Sequence, residues 1–119
     1  MIKPKRLKSQ STIGIISPSY WIDENILKQT SKIFTSRNFK LVYGKSIYTK
    51  DGPFAGSPEL RANDIHEMFL DPSIDAILCA RGGYGANKVI PLLDYELIKK
   101  HPKIFMGYSD ITAYLISIT

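Results

Sequence analysis

The chain has 119 residues, 44% of them hydrophobic, and one cysteine, Cys79. That is enough for one core and too little for two ordinary domains, and a lone cysteine makes no internal disulfide that would point to an oxidising compartment. The formal charge of +5 sits in the tail: Lys3, Lys5, Arg6 and Lys8 fall in the first ten residues with no acid among them, and subtracting these four leaves +1. A basic tail touches phosphates without making a nucleic-acid binder, so residues 1–11 read as a flexible basic tail and residues 12–119 as a near-neutral globular part with no nucleic-acid partner.

The first apolar run, "TIGIIS" (Thr12 to Ser17), is too short for the ~7 to 15 residues of a signal h-region and runs into Pro18, and no run approaches the ~18 residues of a membrane helix. A soluble cytoplasmic protein without a membrane partner is the expectation. That run, "FKLVYG" (Phe39 to Gly44), "IDAILCA" (Ile74 to Ala80) and "KIFMG" (Lys103 to Gly107) are short, β-branched or aromatic, and closed by Gly or Pro. They read as four strands buried on both faces, the pattern of a parallel sheet.

Helical segments alternate with them. Asp23 caps a helix to about Arg37, with Ile26, Leu27, Ile33 and Phe34 on one face. Ser57 and Pro58 open a second, striped by Leu60, Ile65, Met68 and Phe69 and stopped at Asp71-Pro72. A short helix follows "RGGYG" and meets Pro91; Asp94 caps another through Lys100; a last helix starts at Ser109 or Asp110. The alternation predicts a doubly wound α/β domain. The loop of residues 45–56 exceeds the usual ~2 to 6 residues of such connections and is a candidate wall or lid. "DITAYLISIT" at the end lacks a Gly C-cap or a basic last turn, so the chain is expected to be the front part of something longer.

In open α/β sheets ligands bind beyond the carboxyl ends of the strands, near helix N-termini. Ser17-Pro18-Ser19, Arg81 to Gly85 and Gly107 to Asp110 fall on that edge. "RGGYG" is either a glycine loop whose N–H groups meet negative charge or a tight turn that needs positive φ. It is not a dinucleotide fingerprint, since Lys88 stands where a third glycine belongs, and no Gly-Lys-Ser/Thr makes it a Walker loop. Ser109 is either the cap of the last helix or a nucleophile on a sharp strand-to-helix turn; the elbow G-x-S-x-G is half present, with Ile111 in place of the second glycine.

His101 precedes the strand that Ser109 follows, so it lies up to ~26 Å away at the wrong end of the sheet, and His66 lies beside the sheet as a half-exposed surface residue. Neither can be the base for Ser109. Cys79 reads as a small core residue. Tyr20 and Trp21 line a pocket or cover the core. Arg61 and Asp64 pair across one helical turn, or Arg61 clamps a carboxylate. No metal-ligand cluster is visible.

The stretch from Phe54 to Thr112, above all "ARGGYG", "PLLDYELI" and "GYSDIT", closely resembles the LD-carboxypeptidase family of muropeptide LD-carboxypeptidases and microcin C resistance peptidases, and the resemblance runs from about Thr12 to the end. It implies a flavodoxin-like N-terminal domain whose serine falls on Ser109, with backbone N–H groups of Asp110 and Gly83 as oxyanion donors; Ser17, Ser19, Gly82 and Tyr84, at the same strand ends, are expected around the substrate. It implies release of terminal D-alanine from cytoplasmic murein tetrapeptide, the "RGGYG" loop looking more like the murein than the microcin branch, with no metal or cofactor. Homodimers are common in the family, though no residue here decides the point. The glutamate and histidine of the family triad belong to a C-terminal domain absent from these residues, so the 119 residues alone are expected to be inactive. A flavodoxin-like module that cradles a phosphate or nucleotide is the alternative from the binding class.

Overall fold

The computed structural model describes residues 4, 6–107 and 109–118. Four parallel strands, β1 (Thr12–Ile16), β2 (Lys40–Tyr43), β3 (Ala76–Cys79) and β4 (Ile104–Met106), form one sheet in the order β2-β1-β3-β4. The register sets Ile13 beside Leu41 and Ala76, and Leu78 beside Met106. Because all four run the same way, the segments after Ile16, Cys79 and Met106 emerge on one edge.

Five helices join them: α1 (Glu24–Ser36), α2 (Pro58–Leu70), α3 (Ala86–Val89), α4 (Tyr95–Lys100) and α5 (Ile111–Ile118). None is long and apolar enough to cross a membrane among the described residues. The predicted caps form. Asp23 accepts from the N–H groups of Asn25 and Ile26, Ser57 from Leu60, and Asp94 from Leu97. These satisfy donors that the first turn leaves without a helical partner.

Side-chain alternation along the strands divides the core in two. Ile13, Ile15 and Ala76 face one way, where Leu27 and Phe34 of α1 pack on them. Ile16, Ile77 and Cys79 face the other way, against Ala62, Ile65, Met68 and Phe69 of α2 and Tyr114 of α5.

The expectations for strand burial and for the stripe on α1 are corrected. Burial on both faces holds for the central strands β1 and β3, whereas β2 alternates between exposed and half-buried residues and β4 is half-buried, because the strand order puts both at sheet edges. The stripe on α1 is covered on one flank only. Leu27 and Phe34 meet the sheet while Ile26 and Ile33 remain more than half exposed.

Arg61 and Asp64 do not pair, nor does Arg61 meet a carboxylate within hydrogen-bond reach; both serve backbone groups. Arg61 is 1% exposed, and its Nε donates to the Gly56 carbonyl at 2.9 Å while Nη1 donates to those of Pro18 and Gly85 at 3.0 and 3.2 Å. Tyr114 of α5 donates to the same Pro18 carbonyl at 2.7 Å. Asp64 accepts from the N–H groups of Lys45 and Ser46 and from the Ser46 hydroxyl, whose oxygen accepts in turn from the Ser17 N–H at 2.8 Å.

The loop of residues 45–56 is therefore pinned. It begins with a single 3-10 turn (Lys45–Ile47), and bridges Tyr20 through Phe54. Trp21 and Ala55 close further backbone hydrogen bonds between the two loops. It forms a wall behind Tyr20, with Lys50 over the Trp21 ring.

Replacing Arg61 by Ala leaves the Gly56 and Gly85 carbonyls without this donor, and should cost about 3 kcal/mol or more of stability. Urea unfolding of the variant against the parent checks this, and a change below about 1 kcal/mol would contradict the role given to Arg61. Burial also pushes the Cys79 thiol well above its ordinary pKa, leaving almost no thiolate at pH 8. An aromatic disulfide reagent should therefore label the native protein at least about 100-fold more slowly than the urea-unfolded chain.

Candidate active site

Three loops meet at the carboxyl edge of the sheet, and each is shaped by what its strand delivers. After β4, Gly107 allows α5 to begin close beneath the turn: a Cβ there would lie 2.3 Å from Ile111 Cγ2. Ser109 then takes φ 62°, the left-handed region that a residue with a side chain seldom occupies. The reversal is a sharp strand-to-helix turn that leaves Ser109 exposed. Its carbonyl accepts from the Thr112 N–H at 2.9 Å. Its hydroxyl makes no hydrogen bond to a described residue, so Ser109 does not act as a side-chain cap for α5.

Asp110 turns inward. Its Oδ2 accepts from the Ser19 hydroxyl at 2.6 Å and from the Ala86 N–H at 3.0 Å. One carboxylate thus joins the turn after β4, the loop after β1 and the start of α3. Its negative charge suits the free N–H groups of that helix start.

After β3 the chain enters Arg81-Gly82-Gly83-Tyr84-Gly85. Gly83 has φ 128°, and a Cβ on it would stand 2.4 Å from the Tyr20 ring, so both conformation and contact require glycine. Tyr20 is held edge-on by Phe54 and Tyr84, with ring centroids 5.8 and 5.9 Å away. It covers the glycine loop instead of leaving a cavity beneath it.

A hollow of about 370 Å³ opens where these loops converge. Ser109, Gly82 and Gly83 line it together with Ala80 and Arg81 and with Ile22, Asp23 and Ile26 from the segment that enters α1. Three of the sequence-predicted positions therefore share one space, with Asp110 bound behind them. Ser17, Ser19 and Tyr84 do not line it. Ser17 and Ser19 are fully buried, their hydroxyls donating to the Tyr20 carbonyl and to Asp110, and so they brace the loop instead of facing a ligand. Tyr84 is 72% exposed, with its ring beside Tyr20.

Sequence reasoning passed over Arg81 as a site residue, although its place directly before the glycine loop at the end of β3 was the available signal. It also gave Asp23 and Ile26 only helical roles. Neither histidine lines the hollow. His66 Nε2 accepts from the Asp94 N–H at 2.8 Å, and His101 Nδ1 lies 2.8 Å from the Leu97 carbonyl, to which it donates in the Nδ1–H tautomer. Among the described residues no group of three metal-ligating side chains occurs.

The model of the LD-carboxypeptidase N-terminal domain matches residues 13–119, nearly the whole chain. The protein belongs to the LD-carboxypeptidase family. It is 40% identical over 110 residues to a probable murein peptide carboxypeptidase of Bacillus subtilis, covering 92% of this chain and 34% of that protein. It is 31% identical over 104 residues to a murein tetrapeptide carboxypeptidase of Pseudomonas aeruginosa, covering 87% and 34%. The solved structure of the microcin C7 self immunity protein MccF in complex with aspartyl sulfamoyl adenosine superposes with a TM-score of 0.96 at 33% identity, over 99% of this chain and 36% of that one. The chain thus spans about a third of the length of these LD-carboxypeptidase relatives, and its four-stranded α/β fold is that of their N-terminal part.

The contact between Ser19 and Asp110 makes a measurable prediction. Ser19→Ala and Asp110→Ala should each cost about 1 to 2 kcal/mol, and the double variant should cost less than their sum by about 1 kcal/mol, since either change already breaks the shared bond. Chemical denaturation of the four proteins gives that coupling, and strict additivity would mean that the bond contributes nothing.

Proposed function

We propose that the chain is the nucleophile-bearing part of a serine LD-carboxypeptidase that releases the terminal D-alanine of murein tetrapeptide in the cytoplasm, during recycling of the wall. The observation that carries this reading is Ser109 itself: φ 62°, a hydroxyl unengaged by any described residue, and a place in the same hollow as Gly82 and Gly83. Strain of that kind persists only where surrounding structure imposes it, and it is common at nucleophiles presented on sharp turns.

In this mechanism Ser109 Oγ attacks the carbonyl of the L,D-peptide bond. The negative charge that develops on the carbonyl oxygen is received by the N–H groups of Asp110 and Gly83. Asp110 contributes twice, by its N–H to the oxyanion and by its carboxylate to the placement of the loop at Ala86. The histidine that takes the Ser109 proton and returns it to the leaving amine, with the glutamate that orients it, comes from residues beyond this chain, because His66 and His101 are engaged elsewhere. The acyl-enzyme on Ser109 is then hydrolysed by water. By this reading the 119 residues alone do not turn over substrate.

A second reading, a microcin C-type peptidase, is favoured by the close superposition on MccF bound to aspartyl sulfamoyl adenosine. The two differ in which substrate the whole protein consumes.

The test takes the whole protein from its source with murein tetrapeptide and aspartyl sulfamoyl adenosine in parallel. Cleavage of the tetrapeptide is expected to dominate, to fall by about 10⁴-fold or more in Ser109→Ala, and to be absent from the 119-residue chain. A Ser109→Ala protein that retains the parent rate would refute the assignment of the nucleophile, and preference for the nucleoside would establish the second reading.

A further inference from the structure

We propose that Arg81 binds the free carboxylate at the end of the peptide whose last bond Ser109 attacks; the inference rests on the peptidase reading above and adds the group that makes the site select a chain terminus. Arg81 lines the same hollow as Ser109, Gly82 and Gly83. Its guanidinium lies over the Tyr20 ring with Cζ 5.3 Å from the centroid. Stacking on an aromatic face restrains the planar group while its N–H edge stays available to a ligand.

The ring that supports it is itself fixed. Tyr20 meets Phe54 and Tyr84 edge-on, and its backbone bridges to Phe54. Arg81 therefore stands on a braced platform while remaining exposed to solvent.

No carboxylate among the described residues lies within ion-pair distance of it. The one ion pair among them joins Lys28 and Glu24 on α1. Asp23, which also lines the hollow, uses its Oδ1 to cap α1 at Asn25 and Ile26. Arg61, the buried arginine behind the loop, gives Nε and Nη1 to three carbonyls. The hollow thus holds one uncommitted cation, beside the glycine loop and the nucleophile.

Position and chemistry fit one ligand group. The carboxylate of the leaving residue lies one residue beyond the scissile carbonyl, within ~3.6 Å along the chain. Arg81 precedes Gly83, the proposed oxyanion donor, by two residues, and both line the hollow. A guanidinium meets a carboxylate through two parallel N–H bonds, a geometry that neither an internal peptide bond nor a terminal amide can reproduce.

The experiment uses the whole protein and two tetrapeptides, one ending in free D-alanine and one in D-alanine amide. The parent is expected to prefer the acid by ~100-fold or more in kcat/KM, Arg81→Gln to raise KM for the acid by ~10-fold or more while leaving the amide within ~2-fold, and Arg81→Lys to restore part of the preference. An unchanged acid-to-amide ratio in Arg81→Gln, or equal losses on both peptides, overturns the assignment of Arg81 and leaves that of Ser109 standing. Cleavage of neither peptide by the parent overturns the peptidase reading and this inference with it.

Discussion

The site depends on one buried cation. Arg61 projects from the first turns of α2 and donates to the carbonyls of Gly56, Pro18 and Gly85, each in a different loop. A buried guanidinium without partners would be expensive to keep, so these acceptors must be in place for the fold to close. Burial lowers its pKa from the ordinary value, and the electrostatic influence of Tyr114 and Asp110 works against that. Burial pushes the Tyr114 phenol above its ordinary pKa, and its hydroxyl donates to the Pro18 carbonyl. One carbonyl therefore receives donors from α2 and α5, and the loop after β1 is fixed from both sides.

Two carboxylates complete the arrangement with the opposite polarity. Asp64 gathers the N–H groups of Lys45 and Ser46, and Asp110 gathers the N–H of Ala86 and the hydroxyl of Ser19. Cation to carbonyls and carboxylates to N–H groups is the pairing that leaves no buried side-chain nitrogen or oxygen without a partner among the described residues. With the loops so fixed, the unusual backbone at Ser109 and at Gly83 is held by its surroundings instead of relaxing. Rigidity here supports strain, and strain supports the exposed hydroxyl.

The placement of the hollow follows from the sheet. Parallel pairing sends the ends of β1, β3 and β4 to one edge, and β1 and β3 lie next to each other, so Ser17 to Tyr20 and Arg81 to Gly85 must be neighbours. At the β4 side a groove of about 740 Å³ runs between α4, β4 and α5, lined by Tyr95, Ile98, Phe105 and Leu115 among others. The hollow at the carboxyl edge and this groove are separate features of the domain.

Much of this was legible in the sequence, because it is encoded locally. Strand runs closed by Gly or Pro, the caps at Asp23, Ser57 and Asp94, and the glycine loop after β3 each depend on a few adjacent residues, and so the α/β alternation and the meeting of Ser109 and Gly83 at the carboxyl edge of the sheet could be read from it. What only tertiary structure decided were contacts across long separations. Ser19 and Asp110 are 91 residues apart, and Pro18 and Tyr114 are 96 apart. Ser17 and Ser19, expected near substrate, face inward because their hydroxyls have such distant partners. Arg61 and Asp64 are one helical turn apart and invite an ion-pair reading, yet the loops packed over α2 offer each of them backbone groups instead. Exposure of β2, coverage of α1 on one flank and the freedom of Arg81 likewise follow from which surfaces meet, a property that spacing along the chain does not carry.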